Sequence, residues 1–113
     1  EISVIADQIG SPTYARDLAQ AILRIANSDQ WTKGIYHFSN EGEISWYDFA
    51  VAIRELKHSD CKINPISTEQ YPTPARRPKY SLLDKTKIKY MFGVQVPEWK
   101  KSLAEMLVKL EEK

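Results

Sequence analysis

Glycine is scarce in this chain, and its distribution excludes two kinds of nucleotide-binding loop. Only four of the 113 residues are glycines, and Gly10, Gly34, Gly42 and Gly93 lie far apart. A dinucleotide-binding fingerprint or a P-loop requires several glycines within one short loop, so that the backbone can approach the phosphates. We therefore expect no cofactor-binding residues in this chain.

Motifs for catalysis and metal binding are also missing. The single cysteine, Cys61, excludes an internal disulfide and is typical of a reducing cytoplasm. His37 and His58 have no histidine or cysteine partner at ligand spacing, which argues against a zinc site. No Gly-x-Ser-x-Gly elbow is present, and no tyrosine is followed four residues later by lysine. We therefore predict no catalytic residue and no metal in this chain, and a cytoplasmic location.

The chain has no large excess of charge and no long apolar run. Its formal net charge is +1, so it lacks the basic field that nucleic-acid binding requires. No apolar run approaches the roughly 20 residues of a transmembrane helix. With 42% hydrophobic and 27% charged residues, the composition is that of a globular domain that binds neither nucleic acid nor membrane.

The first six residues predict a buried strand. Residues 1–6 (EISVIA) lack an initiator methionine and form an apolar, β-branched run. We interpret the chain as part of a longer protein, because a domain rarely opens inside a core strand. We also expect the isolated fragment to self-associate through the edge of this strand.

The rest of the pattern predicts a small α/β domain of about four helices and three short, mainly parallel strands. Thr13 is predicted to cap the first helix, with Leu18 and Ile22 on its apolar face. Ser45 and Asp48 form a capping-box pattern before the second helix. The other predicted elements are strands at residues 35–39 and 62–66, a helix capped by Asp84 and ended by Gly93, and a helix starting at Val96-Pro97.

The most distinctive stretch is the proline loop, residues 71–81, with the sequence YPTPARRPKYS. It contains three of the six prolines, so no helix or central strand can run through it. Two adjacent guanidiniums, Arg76 and Arg77, on a stiff backbone suit a diphosphate. The alternative interpretation is a solvated connection between two elements.

Two further loops carry recognition chemistry. The first holds Asp7, Gln8 and Thr13 after a strand, where α/β folds place ligands, although Asp7 can equally be a turn or cap carboxylate. The second places Trp46 and Tyr47 at a helix N-terminus, which favours anions. Trp46 also has helical spacing with Phe49 and Ile53, which predicts a core position instead.

These loops, in this order, resemble the C-terminal part of dTDP-4-dehydrorhamnose reductases, which are extended short-chain dehydrogenases. The similar segments are 7–13 (DQIGSPT), 17–19 (DLA), 34–37 (GIYH), 45–50 (SWYDFA), 71–81 (YPTPARRPKYS), 83–87 (LDKTK) and 97–99 (PEW). The resemblance extends over nearly all of the chain, and the proline loop is its most specific part.

The resemblance implies a substrate-binding domain, residues 1–113, that works with an N-terminal Rossmann domain missing from this chain. That domain would bind NADPH or NADH and hold the catalytic tyrosine and lysine. Together they would reduce dTDP-4-dehydro-L-rhamnose to dTDP-L-rhamnose, a donor for surface polysaccharide. The alternatives are another nucleotide-sugar epimerase or reductase, or a non-catalytic binding relative of the same fold.

The resemblance also implies roles for individual residues. Arg77 is expected to contact the diphosphate, with Arg76 as second choice. The other expected substrate-binding residues are Gln8 and Thr13 near the sugar, Trp46 and Tyr47 facing the nucleotide, and Ser81 at the ligand or fixing the loop.

Overall fold

Residues 1–112 are described by a computed structural model of the chain. They form two compact units, each built from two separate stretches of sequence. The first unit consists of Glu1–Ser11 and Glu43–Leu82, and the second of Pro12–Gly42 with the residues from Leu83 onward. The elements in chain order are β1 (Ile2–Ile5), β2 (Ile9–Gly10), α1 (Ala15–Ala26), β3 (Ile44–Ser45), α2 (Trp46–Leu56), β4 (Ile63–Ile66), a 3-10 turn (Thr68–Gln70), α3 (Thr86–Phe92) and α4 (Trp99–Glu111).

The first unit is built on two small sheets and one helix. Strand β1 pairs in parallel with β4, with Ile2 opposite Ile63. Strand β2 pairs antiparallel with β3, with Ile9 opposite Ser45. Helix α2 packs against β1 and β4 and buries Ala52. This unit therefore has the α-on-β layering that the sequence predicts.

Helix α2 begins where the sequence predicts. The Ser45 hydroxyl accepts a hydrogen bond from the Asp48 backbone N–H at 3.0 Å, and the Ser45 N–H donates to the Asp48 carboxylate at 2.9 Å. This reciprocal capping box satisfies two of the donors that a helix start leaves open. It also fixes the point at which β3 turns into the helix.

The second unit is helical and has its own core. The buried residues of its main cluster are Ala21, Ile88, Phe92 and Val94, with Ile25, Tyr36, Phe38, Met91 and Val96 packed around them. The Tyr36 and Phe92 rings meet edge-to-face, with centroids 5.1 Å apart, a favourable aromatic arrangement. Gly93 ends α3 with a φ of 61°, a left-handed conformation that glycine adopts without strain.

The strand predicted at residues 35–39 is wrong. These residues have no ladder partner in the described part of the chain. Their aromatic side chains pack onto the helical core instead, and the Lys87 ammonium group donates to the Ile35 carbonyl at 3.0 Å. The same ammonium lies 4.5 Å from the Tyr36 ring centroid, a cation–π distance. Contacts with α3 thus replace a sheet partner.

The predicted cap of the first helix is also wrong. Helix α1 starts after Tyr14, and no side chain of its own N-cap residue bonds to it. The Tyr14 N–H instead donates to the side-chain oxygen of Asn40 at 2.7 Å. Leu18 and Ile22, predicted on the buried face, are 36% and 56% exposed.

Three smaller predictions need correction. Ile2 is 49% exposed, so β1 is not the buried strand that was expected. The cap position before α3 is Lys85, although Asp84 still accepts a hydrogen bond from the Thr86 N–H at 2.9 Å. The last helix starts at Trp99. Its cap is Glu98, whose carboxylate accepts hydrogen bonds from the backbone N–H groups of Lys100 and Lys101. The α/β class with four helices is confirmed, with four short strands in place of three.

A partly buried ion pair lies in the second unit. The Glu41 carboxylate is 3.2 Å from the Lys85 ammonium and 3.0 Å from that of Lys89. The Lys85 side chain is only 7% exposed, so Glu41 neutralises a charge that has little access to water. The hydrogen bond from Lys89, followed by that from Lys85, lowers the pKa of Glu41 below its ordinary value.

We predict that Glu41→Gln destabilises the protein at neutral pH by about 1–2 kcal/mol, between the effects for exposed and buried ion pairs. Because the folded-state pKa of Glu41 is lowered, its contribution is complete above the unfolded pKa. It is lost as the pH falls through the folded value. Urea unfolding at several pH values should therefore show that the free energy of unfolding falls less on acidification in the variant than in the wild type. Glu112→Gln, at an exposed pair, is the control, and identical pH profiles for Glu41→Gln and wild type would contradict the prediction.

Candidate functional site

The site lies in the first unit and begins at the end of β1. The Asp7 carboxylate oxygen accepts hydrogen bonds from both the backbone N–H and the hydroxyl of Thr68, at 2.9 and 2.6 Å. Both hydrogen bonds lower the pKa of Asp7, and the one from the Thr68 hydroxyl has the larger effect. Asp7 thus joins the segment after β1 to the 3-10 turn that leads into the proline loop. This outcome matches the cap interpretation of Asp7.

The far end of the proline loop returns to the same segment. The Ile9 N–H donates to the Lys79 carbonyl, and the Ser81 N–H donates to the Ile9 carbonyl, both at 2.8 Å. Tyr80 forms a parallel bridge with Ile9. No helix or strand occurs in residues 71–79, as the prolines predict. The loop therefore has no regular secondary structure, and its second end is attached by backbone hydrogen bonds.

The two arginines of the loop are exposed to solvent. Within residues 1–112, Arg76 and Arg77 take part in no ion pair and no hydrogen bond. A guanidinium has five donors in a planar fork that fits phosphate oxygens. The loop thus presents two such forks with their donors available for an anion.

Gln8 and Ser81 lie where the loop meets β2. Gln8 is buried, and its amide donates to the Thr68 hydroxyl at 3.4 Å. Ser81 is exposed, and its hydroxyl donates to the Ile9 carbonyl at 3.4 Å. A Cβ atom at Gly10 would lie 2.8 Å from that hydroxyl oxygen, so a larger residue at position 10 would displace the Ser81 side chain. Of the two roles expected for Ser81, fixing the loop is the one its contacts support.

Trp46 and Tyr47 are the first two residues of α2, directly after β3, the strand that pairs with β2. Ser45, opposite Ile9 in the sheet, directly precedes Trp46, which is 56% exposed. Tyr47 is half-buried. The core position predicted for Trp46 is therefore wrong, because the buried face of α2 is the one that carries Ala52. An exposed indole offers a stacking surface for a flat base.

The first unit thus gathers most, but not all, of the predicted residues. Gln8, Trp46, Tyr47, Arg76, Arg77 and Ser81 belong to it. Thr13 is exposed and belongs to the second unit. No cluster of three or more His, Cys, Asp or Glu side chains suited to a metal occurs among residues 1–112. In the same range, no helix has the length and apolar character needed to cross a bilayer.

Sequence reasoning missed three residues at this site. Thr68 binds Asp7, yet nothing in the sequence around it signals a partner 61 positions away. The Tyr80 hydroxyl donates to Glu43, and this bond raises the pKa of Tyr80. A motif-based search could have found Tyr80, since it lies within the proline loop, but not Glu43.

Comparison with known proteins adds the family context. The family described as the RmlD substrate binding domain matches residues 1–112. A dTDP-4-dehydrorhamnose reductase of Aggregatibacter actinomycetemcomitans is 42% identical over 112 residues, which cover 90% of this chain and 38% of the relative.

Two solved structures are similar as well. A dTDP-4-dehydrorhamnose reductase from Clostridium acetobutylicum ATCC 824 has a TM-score of 0.90 and 40% identity, covering 96% of this chain and 38% of that one. The reductase from Bacillus anthracis str. Ames, in complex with NADP, has a TM-score of 0.88 and 36% identity, with the same coverages. The chain thus spans about two fifths of the length of these relatives.

Proposed function

The chain belongs to the RmlD substrate binding domain family, and we propose that it is the substrate-binding domain of a dTDP-4-dehydrorhamnose reductase. The observation that carries the proposal is the family match over the whole described chain, residues 1–112. The parent protein would reduce dTDP-4-dehydro-L-rhamnose to dTDP-L-rhamnose in the cytoplasm, for surface polysaccharide. Its remaining part would include the Rossmann domain with the catalytic tyrosine and lysine.

We propose that the proline loop binds the diphosphate of the substrate. Arg77 and Arg76 are exposed on a loop whose end is held by Ile9 and whose preceding turn is held by Asp7, and a guanidinium contacts phosphate oxygens bidentately. Arg77 is the principal contact. Since hydrogen bonds to charged groups are roughly twice as strong as neutral ones, this contact supplies much of the binding energy.

The remaining proposed contacts orient the nucleotide and the sugar. Trp46 offers an exposed aromatic face to the base, with Tyr47 beside it. Gln8 and Thr13 are proposed near the sugar, and Ser81 supports the loop. The work of these residues is positioning, which lowers the entropic part of the reaction barrier.

The glycines within residues 1–112 do not fit a cradle for the phosphates of a nicotinamide cofactor. A phosphate cradle needs glycines that leave the backbone open to the ligand. Here the space beside Gly10, Gly42 and Gly93 is taken by the side chains of Ser81, Trp99 and Arg24, and that beside Gly34 by Lys87. NADPH or NADH, which supplies the hydride, is therefore proposed to bind elsewhere in the parent protein.

A substrate-selectivity assay on the full-length parent protein tests the proposal. We expect NADPH oxidation with dTDP-4-dehydro-L-rhamnose, and kcat/KM at least about tenfold lower with UDP- or GDP-linked 4-keto sugars, a difference of roughly 1.4 kcal/mol. Preference for a UDP- or GDP-sugar would indicate another nucleotide-sugar enzyme of the superfamily. Binding of the dTDP-sugar without turnover, in a parent lacking the Tyr-x-x-x-Lys pair, would indicate a non-catalytic relative.

A further inference from the structure

The 3-10 turn before the proline loop and the end of the loop are both attached to one short segment, residues 7–9. In the turn, Asp7 accepts two hydrogen bonds from Thr68. At its end, Ile9 exchanges backbone hydrogen bonds with Lys79 and Ser81. The two attachments differ in kind. The first depends on one carboxylate side chain, whereas the second depends on backbone groups that a side-chain substitution leaves in place.

The chain between Thr68 and the arginines transmits position well. A capping box closes the 3-10 turn, in which the Ser67 N–H donates to the Gln70 side-chain oxygen at 2.8 Å. Pro72 and Pro74 then fix two φ angles, and the Thr73 hydroxyl donates to the Ala75 carbonyl at 2.7 Å. These contacts restrict the chain between Thr68 and Ala75, which is a physical route by which a shift at Thr68 reaches Arg77.

We propose that Asp7 is a positioning residue for substrate binding, which through Thr68 fixes the start of the proline loop and so places the Arg77 guanidinium. This inference rests on the proposed role of Arg77 in binding the diphosphate. Asp7 itself does not contact the substrate in this scheme. Its carboxylate is engaged by Thr68, and a negative charge at the ligand would repel a diphosphate.

The test uses the full-length parent enzyme with Asp7→Ala, Thr68→Val and the double variant. Asp7→Ala removes both hydrogen bonds to Thr68 and should raise KM for the dTDP-sugar about tenfold, since displacements of about 1 Å can cost up to 10²-fold. Thr68→Val keeps its backbone N–H and should raise KM less. The KM for NADPH should stay within twofold of wild type. Because Asp7→Ala already removes both hydrogen bonds to Thr68, the double variant should be no worse than Asp7→Ala alone. Thr68→Ser, which keeps the hydroxyl and the N–H, should restore wild-type KM.

A second cycle separates positioning from direct contact. In an Arg77→Ala background, Asp7→Ala should raise KM no further, because the guanidinium that it places is already gone. A full additional increase would show that Asp7 acts on the ligand directly and would overturn the proposal. So would wild-type KM in Asp7→Ala, or equal increases in the KM values for sugar and cofactor.

Hydrogen exchange in the unliganded protein distinguishes this inference from the proposed function. Asp7→Ala should speed amide exchange at Thr68 and along the start of the loop, while the amides of Ile9 and Ser81 keep their protection. Unchanged exchange at Thr68 would show that the Asp7–Thr68 hydrogen bonds do not hold this segment, whatever the substrate is. If exchange shows that Asp7 holds Thr68 but the wild type does not bind the dTDP-sugar, the proposed function has failed. The structural role of the Asp7–Thr68 hydrogen bonds is then still supported.

Discussion

Replacing Asn40 by leucine, a side chain of similar size, should destabilise the protein by about 3–5 kcal/mol, the cost of leaving buried polar and charged partners without compensation. Asn40 is 1% exposed. Its amide donates to the Asp17 carboxylate at 2.7 Å and to the Ser102 hydroxyl at 3.1 Å. Its side-chain oxygen accepts from the Tyr14 N–H at the start of α1. Leucine would leave the Tyr14 N–H unpaired and the buried Asp17 carboxylate with only the Ser102 hydroxyl.

Such a loss is a large fraction of the free energy of unfolding of a typical domain, about 5–15 kcal/mol. Urea unfolding monitored by circular dichroism measures it directly. Asn27→Leu is the matched control, because Asn27 is exposed at the end of α1, and it should change stability by less than about 0.5 kcal/mol. Equal stability of the Asn40 and Asn27 variants would show that the buried network contributes nothing.

The largest functional effect is expected at Arg77. In the full-length parent, Arg77→Ala should raise KM for the dTDP-sugar about 10–100-fold, the equivalent of one charged hydrogen-bonded contact of about 1.5–3 kcal/mol. Since the contact is present in both the ground state and the transition state, kcat should change less. Arg77→Lys should recover only part of the affinity, because an ammonium group cannot bind two phosphate oxygens as a fork.

Steady-state kinetics with NADPH at saturation provide the measurement. Arg16→Ala, at an exposed arginine of α1, is the control and should behave as wild type. Arg76→Ala should fall between the two. If the Arg77 and Arg16 variants have the same KM for the sugar, the phosphate-binding role of the proline loop is wrong.

Features set by local chemistry were predictable from the sequence. The capping box of α2 needs only Ser45 and Asp48, three residues apart, so its pattern is visible in the chain. The lack of helix and strand in residues 71–79 follows from the fixed φ angles and missing N–H groups of the prolines there. Gly93 likewise marks the end of α3, where the backbone takes a left-handed turn.

Features set by distant partners were not predictable. Thr13 has a good capping side chain, yet the start of α1 is satisfied by Asn40, which lies 26 residues from Tyr14 in the sequence. Residues 35–39 have strand-like side chains, but contacts with α3 hold them. The helical spacing of Trp46 describes a stripe on α2 but cannot say which side of the helix faces the sheet. The pairing of Asp7 with Thr68 has no local signal at all.

The discontinuous make-up of the two units has a consequence for biosynthesis. β1 finds its parallel partner only when residues 63–66 exist, and the Asp17–Asn40 network is completed by Ser102 of α4. The ribosome synthesises residues in order, so N-terminal segments lack their native contacts until the C-terminal partners have been made. During that interval β1 lacks its sheet partner until residues 63–66 are made, and the Asp17 carboxylate lacks the Ser102 hydroxyl until α4 is made. Nascent chains arrested before α4 should therefore depend on chaperones, whereas completed chains should not.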